Sequence, residues 1–111
     1  MRTLLKSVTI IDPQGPFHKQ VVDILIDQGI IENMAPSISD DRADLVDLPN
    51  AHVSFGWFDP SVSLGEPGFE ERETIINGSL VAAKAGYTAI AVQPNTNPVT
   101  QSQAAVSFLK A

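Results

Sequence analysis

The chain has 111 residues, 43% of them hydrophobic, with 13 acidic against 7 basic residues and a net charge of −6, a composition that fits one modest globular domain and excludes intrinsic disorder. Its scattered Lys and Arg form no basic stripe, which argues against nucleic acid and anionic membranes as partners, and the absence of cysteine excludes disulfides, thiolate metal sites and a cysteine nucleophile. No apolar run approaches the ~20 residues of a membrane span, and residues 1–11 lack the apolar core of a signal peptide, so a cytoplasmic location is expected.

In chain order, "LLKSVTII" reads as a first strand that ends at the loop Asp12-Pro13-Gln14-Gly15-Pro16. "VVDILID" alternates Val22, Ile24 and Ile26 against Asp23 and Asp27, the pattern of a half-buried strand. Gln28-Gly29 turns it into "IIENMAP" as a hairpin, with the glycine supplying positive φ. "SISDDRAD" is a charged surface loop, and "LVDL" and "AHVSF" are short strands, so residues 1–55 predict a small β-module. After Gly56 the pattern becomes strand, helix, strand, helix, which predicts α/β organisation with parallel βα units. "WFDPSVSL" is the first of these strands and its exit. "TIINGSLVAAKA" is a helix with Ile76, Leu80 and Ala83 on one face and Gly86 as its stop. "YTAIAVQ" is the second strand, and Thr100 with Gln103 has the spacing of a capping box for a last helix that is still running where the sequence stops. Two βα units cannot close a barrel, whose eight-unit form takes ~250 residues, so the chain reads as the opening of a larger fold.

Asp59, Ser61 and Ser63 are spaced two apart at the exit of a strand, where a metal site can be built. A hydroxyl is a weak neutral ligand, and one carboxylate alone does not hold a catalytic zinc. His18 and His52 fall in the first module, away from the βα exits where α/β sites gather, and structural or surface roles are expected for both. No Gly-x-Ser-x-Gly elbow is present. Glu66, Glu70, Glu71 and Glu73 precede a helix, where acids suit the positive end of its dipole better than they suit a paired-carboxylate site. Asn95, at the end of the second βα strand between Pro94 and Pro98, admits two readings: an amide that binds a ligand carboxylate or amide, or an Asx-type turn residue.

The run "HVSFGWFDPSVSLGEPGFEERETIINGSLVAAKAGYTAIAVQPNTNPVTQS" resembles the beginning of the dihydroorotases, cyclic amidohydrolases of the amidohydrolase superfamily. The similarity extends back through "LLKSVTIIDP" and "VDILIDQGIIENMAP" and so covers essentially the whole chain. The resemblance implies a β-module over residues 1–55 and, over 56–111, the first two βα units of a truncated (β/α)8, TIM-type barrel. It also implies zinc-dependent interconversion of carbamoyl-aspartate and dihydroorotate in pyrimidine synthesis.

The family's motif Asp-x-His-x-His-x-Arg-Glu-Pro-Gly reads here Asp59-Pro60-Ser61-Val62-Ser63-Leu64-Gly65-Glu66-Pro67-Gly68. By that comparison Ser61 and Ser63 stand at the metal-binding histidine positions, and Gly65 stands for the arginine that grips the substrate carboxylate. Asn95 matches the family's substrate-binding asparagine. Its carbamylated lysine, further histidines and catalytic aspartate lie beyond residue 111. The resemblance therefore implies a chain with no metal and no catalytic residue of its own. Two functions are expected of it: a structural member, as family proteins lacking the metal ligands scaffold aspartate carbamoyltransferase, or an active cyclic amidohydrolase using ligands elsewhere in a longer chain. Residues 57–111 are expected to expose apolar surface and to self-associate or to be unstable in isolation.

Overall fold

The computed structural model describes residues 1–110 and divides into two units, Met1–Phe55 and the chain from Gly56 onward. The first is a five-stranded sheet of β1 (Arg2–Ile11), β2 (Val21–Asp27), β3 (Ile30–Ala35), β4 (Asp44–Val46) and β5 (His52–Ser54). β3, β2 and β1 pair antiparallel. On the other edge of β1 two short strands pair parallel in succession, β4 with Thr3 to Leu5 and β5 with Thr9 to Ile11. The turn after β2 has positive φ at both central residues, 50° at Gln28 and 78° at Gly29. Two left-handed residues give the primed turn whose twist matches the hairpin, so Gln28 shares the conformation expected of the glycine alone.

Val8, Ile10, Val22 and Ile24 form the buried cluster, flanked by Leu5, Phe17, Ile26, Met34, Ala51 and Val53. Leu5 and Val8 are three apart, a spacing that sends them to opposite faces of a regular strand. A register shift between them, with Ser7 at φ 52°, adds the extra residue that returns both to the face of Val22 and Ile24.

The half-buried reading of β2 needs correction at Asp23, which is only 1% exposed. Its Oδ2 accepts from Lys6 Nζ at 2.5 Å and from the Ile38 N–H at 2.8 Å, and its Oδ1 accepts from the Ser7 N–H at 2.8 Å. Burial pushes this carboxyl up, but Lys6 and the two amides together hold it below the usual carboxylate range. The second face of β2 is thus covered by the 37–38 segment and pinned by a charge. The "SISDDRAD" loop is likewise tied down, because Arg2 reaches Asp40 at 2.7 Å as well as Asp27 at 2.9 Å and Glu32 at 2.6 Å. Those bonds raise the guanidinium and keep Asp40 low.

The second unit contains β6 (Trp57–Val62), α1 (Ile75–Lys84), β7 (Tyr87–Val92) and α2 (Gln103–Lys110). β6 and β7 pair parallel, with α1 in the crossover between them. Thr74 caps α1 by accepting from the Asn77 N–H at 3.2 Å, Glu66 Oε2 accepts from the Ile75 N–H at 3.0 Å, and Gly86 follows the helix at φ 89°.

One expectation fails here. Ser102, not Thr100, caps α2, its Oγ accepting from the Ala105 N–H at 3.2 Å, while Thr100 shares a 2.8 Å hydroxyl bond with buried Thr96. The α1 face of Ile76 and Leu80 is 75% and 56% exposed. The helix instead comes close to buried Leu64 at Gly78, where a Cβ would fall 2.5 Å from the leucine Cδ2. Leu64 is the one buried hydrophobic residue among those described in this unit, and Trp57 and Phe58 are 61% and 60% exposed. Among the described residues no helix is long and apolar enough to cross a membrane.

Candidate functional site

β6 and β7 deliver the polar residues of interest to their shared carboxyl end. Pro60 has no N–H, and the pairing slips from Asp59 opposite Ile90 to Val62 opposite Val92. The slip leaves three successive polar groups with separate partners. Asp59 Oδ1 accepts from the Ser61 N–H at 2.9 Å, a turn onto its own backbone. Ser61 Oγ accepts from Gln93 Nε2 at 3.2 Å, and Ser63 Oγ accepts from Asn95 Nδ2 at 2.8 Å. Asp59 and Ser63 also face a cleft of about 270 Å³ between the strands and α1, walled by Leu64, Glu73, Val81 and Tyr87.

One carboxylate and two neutral hydroxyls already engaged by amides do not fit a zinc ion. Among the described residues no group of three or more His, Cys, Asp or Glu comes together. His18 Nδ1 accepts from the Asp12 N–H at 3.1 Å, and His52 Nδ1 bonds the Asn50 carbonyl at 2.8 Å. The acids before α1 are also occupied with the backbone and with the helix. Besides Glu66 on the Ile75 amide, Glu70 accepts from the Gly68 N–H at 3.0 Å and is held low by it, and Glu73 accepts from Asn77 Nδ2 at 2.7 Å.

Gly65 is buried where the loop folds back on itself. Its carbonyl accepts from the Phe69 N–H at 2.6 Å, and an added Cβ would collide with the Phe69 carbonyl and lie 2.6 Å from the Glu73 carbonyl oxygen. No side chain can occupy position 65 unless residues 65–73 move. Sequence reasoning brought out Ser61, Ser63 and Asn95 but missed Gln93, whose one signal was its place directly after the predicted strand and two residues before Asn95.

The family model described as dihydro-orotase-like matches residues 52–111. The chain is 39% identical over 110 residues to a dihydroorotase of Thermoanaerobacter sp., covering 99% of this chain and 25% of that protein. It is 40% identical over 111 residues to the dihydroorotase of Caldanaerobacter subterraneus subsp. tengcongensis, again over 25% of the relative. The chain thus spans about a quarter of the length of the curated relatives it matches. Among solved structures, the L-hydantoinase (dihydropyrimidinase) of Arthrobacter aurescens superposes with a TM-score of 0.79 at 23% identity, over 96% of this chain and 23% of that one. A D-hydantoinase superposes with a TM-score of 0.74 at 22% identity, over 99% and 24%. At these identities the likeness is one of fold.

Proposed function

The chain belongs to the dihydro-orotase-like family, and from that membership we propose that it is a non-catalytic representative of pyrimidine biosynthesis with a structural role, acting as a scaffold for aspartate carbamoyltransferase. In this reading β6 and β7 are the first two strands of an amidohydrolase barrel, and Ser61, Ser63 and Gly65 stand where the family places two metal-binding histidines and a substrate arginine. The observation that carries it is the hydrogen bonding of both serine hydroxyls to Gln93 and Asn95, which leaves Asp59 without a second strong donor for a metal. The closed loop at Gly65 adds to it: losing a bidentate guanidinium removes a charge-assisted anchor of roughly 1.5–3 kcal/mol, and the backbone there has filled the room for a side chain.

The test is co-purification of the protein, in its longest natural form, with aspartate carbamoyltransferase, together with metal analysis and assay of dihydroorotate formation. A stable complex without zinc or turnover is the expected result. Stoichiometric zinc with turnover would overturn the proposal in favour of an active amidohydrolase that draws its ligands from the rest of a longer chain, and failure to associate would remove the scaffold role.

A further inference from the structure

We propose that the carboxyl ends of β6 and β7 are joined by a metal-independent clasp, Gln93 to Ser61 and Asn95 to Ser63, continued between the loops by the Asn97 amide bonded to the Pro67 carbonyl. The clasp lies where the strand ladder is weakest. Between the Asp59–Ile90 and Val62–Val92 pairs, two residues of β6, Pro60 and Ser61, stand against Ala91 alone, and Pro60 offers no donor. Regular pairing resumes only at the Gln93 N–H, which bonds the Val62 carbonyl at 2.8 Å. Beyond the strand end at Val92 the chain bends at Pro94, Thr96 and Asn97, and the side chains of Gln93 and Asn95 and the backbone amide of Asn97 reach back to the β6 side. Their bonds are 3.2 Å to Ser61, 2.8 Å to Ser63 and 2.8 Å to Pro67.

The loops are built to meet there. Gly68, at φ 100°, lies so close to Asn97 that a Cβ at 68 would collide with it. Thr96 is buried and bonds within its own loop, to the Pro98 carbonyl at 2.9 Å and to Thr100 at 2.8 Å, which holds the loop in shape. The helices and strands of this unit bury only Leu64 among the described hydrophobic residues, so cross-strand polar bonds carry an unusual share of the local order. In this arrangement the serine hydroxyls are short acceptors that suit the two amides, and the Asn95 amide points its donor at Ser63. Ser61, Ser63, Gln93 and Asn95 are in this arrangement positioning residues for the loops.

The clasp rests on the non-catalytic reading in treating both serines as structural, and its test needs neither activity nor partner. In the full chain, hydrogen exchange at the Asn97 amide and the urea midpoint are measured for Ser63→Ala, Asn95→Ala, the double variant and Ser63→Thr. Each single alanine variant should speed exchange at Asn97 by roughly two- to tenfold, the net worth of one hydrogen bond. The double should be no faster than the faster single, and Ser63→Thr, which keeps the hydroxyl, should match the parent. Added zinc or a chelator should leave the parent's melting temperature unchanged. Additive effects, or unaltered exchange at Asn97, would overturn the clasp and leave the non-catalytic reading standing. A zinc-dependent rise in the parent's melting temperature would overturn both.

Discussion

Replacing Asp23 with alanine tests the account of the first unit most directly. The change strips the partner from three donors at once: the Ser7 and Ile38 amides at 2.8 Å and Lys6 Nζ at 2.5 Å. Ser7 is exposed and Ile38 half-buried, so each orphaned amide costs toward the low end of about 1–3 kcal/mol. Lys6 keeps 29% of its side chain exposed and also reaches the Ile38 carbonyl at 3.4 Å, so its share lies at the low end. The sum is about 3 kcal/mol, at the lower edge of what removing one member of a buried ion pair costs. For a domain of this size each kcal/mol moves the melting temperature by about 4–8 °C, so the variant should melt more than about 12 °C below the parent. Urea unfolding followed by circular dichroism measures the difference directly. Asp41→Ala, on the exposed side of the same acidic loop, should change stability by no more than about 0.5 kcal/mol, and Asp23→Asn, which keeps the shape and one acceptor oxygen, should fall between. A loss below about 1 kcal/mol for Asp23→Ala would refute the argument, because it would mean that water reaches the three donors.

Acid should act through the same groups. Asp23 and Asp40 are both held below the usual carboxylate range, so they bind fewer protons when folded than when unfolded. The stability they contribute is complete above the unfolded value of about 4 and is lost as pH falls through the lower folded values. Thermal melts between pH 7 and pH 2 should therefore be flat down to about pH 5 and then decline, more gently in Asp23→Asn. At Gly65 a single methyl is expected to cost about 1–3 kcal/mol, the usual range for overpacking, with faster proteolysis of residues 65–73; Gly65→Ala melting with the parent would show that the loop yields freely.

Much of the backbone was legible locally. The strands of the first module, the Gln28-Gly29 turn, the α1 boundary at Gly86 and the βα order after Gly56 each follow from a few neighbouring residues. The misreadings share a cause, which is that the deciding partner is distant in sequence. The alternation in "VVDILID" gives two faces of β2 but cannot reveal that Lys6 and Ile38 cover the second, so Asp23 looked like a solvent residue. Thr100 and Ser102 are both good caps by composition, and the choice fell to Ser102 because Thr96 engages Thr100. At the candidate site the spacing of Asp59, Ser61 and Ser63 was visible at once, but their partners Gln93 and Asn95 lie 32 residues further along, and only the pairing of β6 with β7 brings them within reach.

The two short strands lying end to end along one side of β1 bear on the order in which the first unit can form. β1 is paired with β2 on one side and with β4 and β5 on the other, so the earliest strand in the chain is also the hub of the sheet. During synthesis Arg2 to Ile11 must wait first for the hairpin partner at Val21 and then for His52 to Ser54 before both sides are satisfied. Local pairing comes cheaply, but the parallel contacts span more than forty residues and close a large loop for few hydrogen bonds. The β1 to β3 meander should therefore assemble early, with β1 presenting an open side to the nascent chain until Ser54 clears the ribosome.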